Sequence, residues 1–172
     1  MEKWDVVELL RYARHDTLNQ IQLLKGYLAL GRTEKVKEIL DQWIRDAEKE
    51  TSISNLNCPR LASLFLTYKW QGYTAELDYM VEGKGKFTPR QDELLSAWFE
   101  QFFELIERDT SNETVSVLKV KIMMEQKPVI QITGQGDTVH NEALRQFFAK
   151  REKLEITEQL FKDQYFFVEL TV

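Results

Sequence analysis

From Trp4 to about Leu56 the apolar residues fall every three or four positions, a spacing that makes a single face only on an α-helix, and the run is broken once, at Leu30-Gly31-Arg32-Thr33. Gly31 suits the left-handed residue that ends a helix, and Thr33 carries a hydroxyl able to cap the next one by accepting a backbone N–H. The spacing therefore predicts a helical hairpin. Its first helix presents Val6, Val7, Leu10, Ala13, Leu18, Ile21, Leu24 and Leu28 along one broad stripe, and its second presents Val36, Ile39, Leu40, Trp43 and Ala47.

Two helices of this length bury too little surface to be stable by themselves, so both stripes need a cover. The second half of the chain can supply it, since neighbouring elements often pack together. A second copy can supply it as well, and pairing two hairpins into a four-helix bundle predicts a homodimer.

After the polar stretch Thr51 to Arg60 the rhythm becomes mixed. A helix-like segment runs from Pro59 to Gln71, with Pro59 in the first turn. Tyr73, Ala75, Leu77 and Tyr79 then alternate with polar residues as in a half-buried strand, and Gly83-Lys84-Gly85 marks a turn. A second helix is expected from Pro89 to Glu107, with Leu94, Leu95, Trp98, Phe99, Phe102, Phe103 and Ile106 inward. Strands follow at about Thr114 to Met124 and Val129 to Thr133, then a short helix near Asn141 to Lys150, then strands around Leu154, Ile156 and Phe166 to Val172. The fold class is α+β, with a hairpin domain at 1–56 and an α/β sandwich at 57–172.

Composition narrows the function. A net charge of -5 opposes a nucleic acid as partner, because phosphate-backbone binding is driven by clustered Lys and Arg. The single cysteine, Cys58, cannot form an intramolecular disulfide, and the first thirty residues are charged throughout instead of carrying a secretion signal's apolar core, so a cytoplasmic protein is expected. No run approaches the roughly 20 apolar residues of a membrane helix.

Only two histidines are present. At about 100° of rotation per residue, His15 lies roughly 140° from the centre of the first helix's apolar stripe and faces water, with Glu8, Arg11, Tyr12, Asn19 and Gln22 around it. An imidazole attacks phosphorus only as the neutral base, with a lone pair directed outward and room for in-line approach. Asp16 is placed to hold one ring nitrogen and so fix which one is free, and Asn19 to donate an amide hydrogen bond toward a phosphoryl oxygen. Arg11 and Arg14 add positive charge that suits an acidic partner surface. Taken alone, the same residues also fit the ordinary wet side of an amphipathic helix.

The run Arg14-His15-Asp16-Thr17-Leu18-Asn19-Gln20-Ile21-Gln22-Leu23-Leu24-Lys25-Gly26-Tyr27-Leu28 resembles the phosphoacceptor helix of the sporulation initiation phosphotransferase B family and, more distantly, the H-[DE]-x-x-N acceptor helices of some sensor histidine kinases. Ala47-Glu48-Lys49-Glu50, Ser54-Asn55-Leu56 and Leu61 to Trp70 are similar to that family in order and spacing. Gly26 within a helix costs about 1 kcal/mol relative to alanine, and the family pattern has a glycine there. The resemblance implies a dimeric four-helix bundle attached to a C-terminal domain shaped like a degenerate histidine-kinase ATP-binding domain. It implies that His15 is phosphorylated, that a response-regulator receiver domain docks on the face of Arg11, Tyr12, Arg14 and Gln22, and that phosphate passes from one receiver aspartate through His15 to a second receiver. No cofactor is expected on this chain, the Mg²⁺ belonging to the receiver.

A sensor kinase would share this acceptor helix but needs nucleotide motifs. No asparagine occurs from Cys58 through Ser111, so the helix at 89–107 lacks the usual metal ligand, and no glycine follows Gly136 from which to build a phosphate lid. Gly134-Gln135-Gly136 is taken as a turn and His140 as a solvated residue near a helix start. With one Cys and two distant His no zinc set forms, and neither a Gly-x-Ser-x-Gly elbow nor a Cys–His pair is present. A receiver phosphatase and a non-enzymatic receiver-binding dimer remain as alternatives.

Overall fold

The computed structural model describes residues 5–108, 115–136, 142–149 and 154–172. The chain divides into two compact units, Met1–Thr51 and Ser52–Val172.

The first unit is built on helix α1 (Val6–Ala29) and helix α2, which begins at Thr33 and ends at Ser54. Asp5 opens α1 by accepting the Val7 N–H at 3.4 Å. Gly31, at φ +67, closes it: the Arg32 N–H reaches the Tyr27 carbonyl at 2.9 Å and the Gly31 N–H the Leu28 carbonyl at 3.0 Å, the paired bonds of a Schellman ending. Thr33 is already helical, one residue past the capping role expected of it, because the Val36 N–H bonds the Arg32 carbonyl at 3.3 Å. Partial cover recurs at Leu9, Asp16, Gln20, Leu24 and Tyr27 on α1 and at Val36, Ile39, Trp43, Asp46 and Lys49 on α2, one stripe per helix. No residue of α1 is fully buried.

The second unit packs α3 (Pro59–Thr67), a 3₁₀ turn (Tyr68–Trp70), α4 (Pro89–Arg108) and α5 (Glu142–Ala149) with five strands: β1 (Glu76–Gly83), β2 (Val115–Met124), β3 (Val129–Gly136), β4 (Glu155–Lys162) and β5 (Tyr165–Thr171). The sheet order is β1-β2-β3-β5-β4, with β1 parallel to β2 and the other neighbours antiparallel. Alternation sends Leu118, Val120, Ile122, Ile130, Ile132, Phe166, Val168 and Leu170 into the core and leaves Lys121, Gln131 and Glu169 on the other face. There Lys121 pairs with Glu82 at 2.9 Å, and Glu169 accepts from Gln131 at 2.9 Å and Thr157 at 2.8 Å, bonds that hold its carboxyl below the usual range. The architecture is α+β.

Phe65, Phe99, Phe102, Phe103, Phe148 and Phe166 form a continuous aromatic core in edge-on and tilted contacts. Each such burial contributes about 1.5–3 kcal/mol. Ile53 and Leu56, at the end of α2 and just beyond it, are buried in this core rather than in the hairpin, which is why the division falls at Ser52.

Two expectations are corrected. β1 starts at Glu76, so Tyr73 and Ala75 precede the strand: Glu107 of α4 accepts the Thr74 N–H at 2.9 Å and the Ala75 N–H at 3.3 Å, using the amides that would have begun a longer strand. Gly134 and Gly136 are not a turn; both belong to β3, and Gly134 stands opposite Phe166. A β-carbon at Gly134 would fall inside the Phe166 ring, so the glycine is required by that ring and not by chain reversal.

Candidate functional site

The α1 sequence puts His15 on the side turned away from both of its apolar surroundings. By rotation of about 100° per residue, His15 lies roughly 130° from the stripe partly covered at Leu9, Gln20 and Tyr27, and roughly 140° from the exposed stripe of Val6, Leu10, Ile21 and Leu28. Its side chain is 71% exposed. Nδ1 stands 3.2 Å from Asn19 Nδ2, one turn ahead, and 4.0 Å from the Asp16 carboxylate, outside hydrogen-bond range. The partner of the ring is therefore Asn19, where the residues alone suggested Asp16. Side-chain direction explains this: i and i+4 stack on one face, whereas i+1 points about 100° away.

Nδ1 is the nitrogen turned toward these neighbours, which leaves Nε2 on the far side of the ring. An amide nitrogen can only donate, so with the carboxamide in this orientation Nδ1 accepts and Nε2 carries the hydrogen. Exchanging the carboxamide N and O of Asn19 keeps every heavy-atom position, makes Nδ1–H the donor, and frees the Nε2 lone pair.

Arg11, Tyr12, Asn19 and Gln22 are all exposed on this side of α1. Arg11 precedes His15 by one turn, and Gln22 follows by two, within about 20–40° of rotation of it. Arg14 does not join them: it is exposed but about 100° round the helix, beside Val7 and Leu18. The face continues past Gln22 to Gly26, where an added β-carbon would meet nothing within 4 Å. Leu23 and Leu30, one turn to either side of Gly26, are 49% and 69% exposed. Neither leucine belongs to the stripes read from the sequence.

In the second unit, Cys58 is buried, donates to the Ile53 carbonyl at 3.8 Å, and has its thiol pushed up to about 11 by burial and then by the nearby Asp92 carboxylate. Such a thiol is a poor nucleophile. An open cleft of about 680 Å³ at the start of α3 and α4 is lined by Asn57, Pro59, Arg60, Pro89, Arg90, Asp92 and Glu93. Its carboxylates are engaged: Asp92 accepts the Arg60 and Leu61 N–H groups at 3.2 and 2.9 Å, and Glu93 meets Arg60 at 3.7 Å. Among the described residues no group of three His, Cys, Asp or Glu side chains is placed to hold a metal, and no helix is long and apolar enough to cross a membrane. His140 lies outside the described residues.

Residues 1–56 match the family model described as sensor kinase SpoOB-type, alpha-helical domain, and residues 57–172 match that of sporulation initiation phospho-transferase B, C-terminal. The chain is 33% identical over 121 residues to sporulation initiation phosphotransferase B of Bacillus subtilis (strain 168), an alignment spanning 70% of this chain and 63% of that relative. A solved structure of the histidine kinase ThkA in complex with the response regulator TrrA superposes with a TM-score of 0.43 and 11% identity, over 95% of this chain and 61% of that one. With both halves matched in order by its models, the chain belongs to the sporulation initiation phosphotransferase B family.

Proposed function

We propose that this protein is a phosphorelay histidine phosphotransferase of sporulation initiation, taking a phosphoryl group from one receiver's aspartate onto His15 and passing it to a second receiver. The observation that carries this reading is an imidazole 71% exposed on α1, with one nitrogen held by Asn19, within the helical domain of that family.

In the first step His15 Nε2 attacks the phosphorus of the aspartyl phosphate in line. The P–N bond forms as the P–O bond breaks, and the carboxylate departs on the receiver. The proton on Nδ1 stays on the ring during the attack, held by the Asn19 carboxamide oxygen, so the ring carries a positive charge beside its anionic phosphoryl group and becomes neutral only when Nδ1 releases that proton to water; the attack itself needs no separate base. The second step is the reverse on another receiver. Mg²⁺ sits in the receiver's own acidic pocket, and this chain contributes positioning and positive charge, Arg11 being closest in rotation to His15. Both phosphoryl compounds are high in energy, so the direction of flow follows which receiver arrives phosphorylated.

Two copies complete the molecule in this reading. Val6, Val7, Leu10, Leu18, Ile21 and Leu28 of α1 and Leu40 and Ile44 of α2 are exposed by 40% to 66%, an apolar surface that a second hairpin covers as a four-helix bundle. His15 stays outside that seam.

The deciding experiment mixes the purified protein with a single-domain receiver carrying labelled phosphate. Acid-labile, base-stable label on this chain, absent in His15→Gln, is the expected result. Label persisting in His15→Gln removes His15 from the reaction; inorganic phosphate released with His15 never labelled makes the protein a receiver phosphatase; receiver binding without label or release makes it a non-enzymatic partner. Label from ATP alone would make it a kinase.

A further inference from the structure

Two polar groups of the second unit have nothing to bond. The Tyr68 hydroxyl and the Gln71 side-chain nitrogen are shut off from solvent, and neither meets a donor or acceptor among the described residues. Tyr68 itself is 4% exposed. Leaving a buried polar atom unpaired costs more than an average hydrogen bond contributes, so native proteins seldom do it without a use. Both atoms belong to one short stretch, the 3₁₀ turn at Tyr68–Trp70 and the residue that follows it.

The surroundings of that stretch are acidic. The rings of Tyr68 and Tyr73 lie 4.8 Å apart, centroid to centroid, and both contact Phe103 of α4. Glu100, Glu104 and Glu107 fall within about 60° of one another on α4, in a row roughly 10 Å long. All three are half-buried, whereas Glu93 and Gln101 of the same helix are exposed. Glu107 accepts the Thr74 and Ala75 N–H groups and so draws the chain at Tyr73 against this row. Burial, then Glu104, Glu107 and Glu100, push the Tyr73 phenol up, and burial followed by Glu107 does the same to Tyr68. The orphaned hydroxyl thus stands in the field of the same carboxylates.

Three carboxylates and two phenol oxygens repel an anion and offer acceptors to a cation. A metal ion does not fit, because the row spaces its carboxylates about a helical turn apart, and among the described residues no three such groups converge as ligands. An ammonium group is compact and strongly hydrated. A guanidinium is flat and weakly hydrated, stacks on an aromatic face, and spreads five N–H donors over several acceptors. Gln71 can join them, since exchanging the N and O of its carboxamide turns the orphaned donor into an acceptor. The row lies along a helix surface, which suits a side chain reaching in from a docked protein.

We propose that Tyr68, Gln71, Tyr73, Glu100, Glu104 and Glu107 form a site for an arginine side chain of a partner protein, its guanidinium laid on the Tyr73 ring, paired with Glu104 and bonded at its inner end to the Tyr68 hydroxyl. Tyr73, half-buried at the rim, gives way to admit it. The site is complete within the second unit and does not rest on the phosphotransfer reading.

The probe is a capped pentapeptide with two arginines, titrated calorimetrically onto the full chain beside free arginine and the same peptide carrying lysines. The arginine peptide should bind, the lysine peptide about fivefold more weakly or worse. Glu104→Gln, which keeps shape and helix propensity, should weaken the arginine peptide about tenfold. Tyr68→Phe separates site from fold: removing an unpaired hydroxyl should raise the Tm by about 2–4 °C while weakening the peptide about fivefold. An arginine peptide that does not bind would overturn the site, as would a lysine peptide binding equally well, displacement by Mg²⁺ alone, or Tyr68→Phe binding as the parent does. Tyr68→Phe with a lowered Tm would show the hydroxyl already satisfied in the free protein and remove the orphan on which the site is built. Free arginine binding as tightly as the peptide would overturn the partner protein as its source.

Discussion

Gly134 of β3 lies directly beneath the ring of Phe166, its cross-strand partner on β5. The ring fills the volume a side chain would take, completely buried itself, and touches Phe102 and Phe148 from the helices above. Gly134→Ala forces the ring out of this arrangement, at an expected cost of about 1–3 kcal/mol, read as a lowered denaturant midpoint with unchanged slope. Combining it with Phe166→Leu should recover part of the loss. An alanine variant as stable as the parent would mean that the ring does not press on this backbone.

Asn19 is expected to act through the tautomer of His15. Asn19→Ala should slow labelling of His15 about tenfold, the worth of one hydrogen bond near 1.4 kcal/mol. Asn19→Asp keeps an oxygen facing Nδ1 and should retain more of the rate than Ala does. The order of the two variants in a stopped-time labelling series is the check; equal rates for both would return the orienting role to Asp16.

The exposed stripe on α1 predicts the oligomeric state. Ile21→Glu places a charge where 48% of the side chain is open in one chain and closed in a bundle, as does Leu10→Glu at 54%. Each should shift sedimentation from dimer to monomer and lower the hairpin's helicity. A monomeric parent protein would contradict the bundle.

Cys58 links stability to alkaline pH. Its thiol has a folded value pushed from 9.0 to about 11, chiefly by burial, so the unfolded chain loses the proton first. The stabilisation is fully present below pH 9 and declines as pH rises through about 11, by roughly 1–3 kcal/mol for a two-unit shift. Burial raises the phenol of Tyr68 as well, which adds to the same decline. Cys58→Ala should flatten part of this slope in urea titrations at pH 8 and pH 10.5. The native thiol should also resist a disulfide reagent at pH 8 until the protein unfolds.

Much of this molecule was legible from local pattern. The hairpin follows from period and Gly31, and the solvent-facing His15 from rotation alone, because both depend on residues within a few turns. What escaped depends on partners distant in sequence. A glycine within β3 reads as a turn unless the ring that needs it, on β5, is known to lie opposite. Tyr73 and Ala75 read as strand until Glu107 is seen to take the amides at Thr74 and Ala75. At the site, adjacency in the chain suggested Asp16 as the partner of the imidazole, and helix geometry puts Asn19 there instead. Leu23 and Leu30 lay off the periodic stripes and carried no signal until their exposure was known.

Helix α4 carries a carboxylate near each end that serves an earlier segment: Asp92 holds the first amides of α3, and Glu107 those at Thr74 and Ala75. During synthesis, everything from Arg60 to Ala75 leaves the ribosome before the groups that anchor it exist. Those amides must wait on water until some thirty more residues have emerged, so a chain stopped short of Pro89 lacks the carboxylate that holds the first amides of α3.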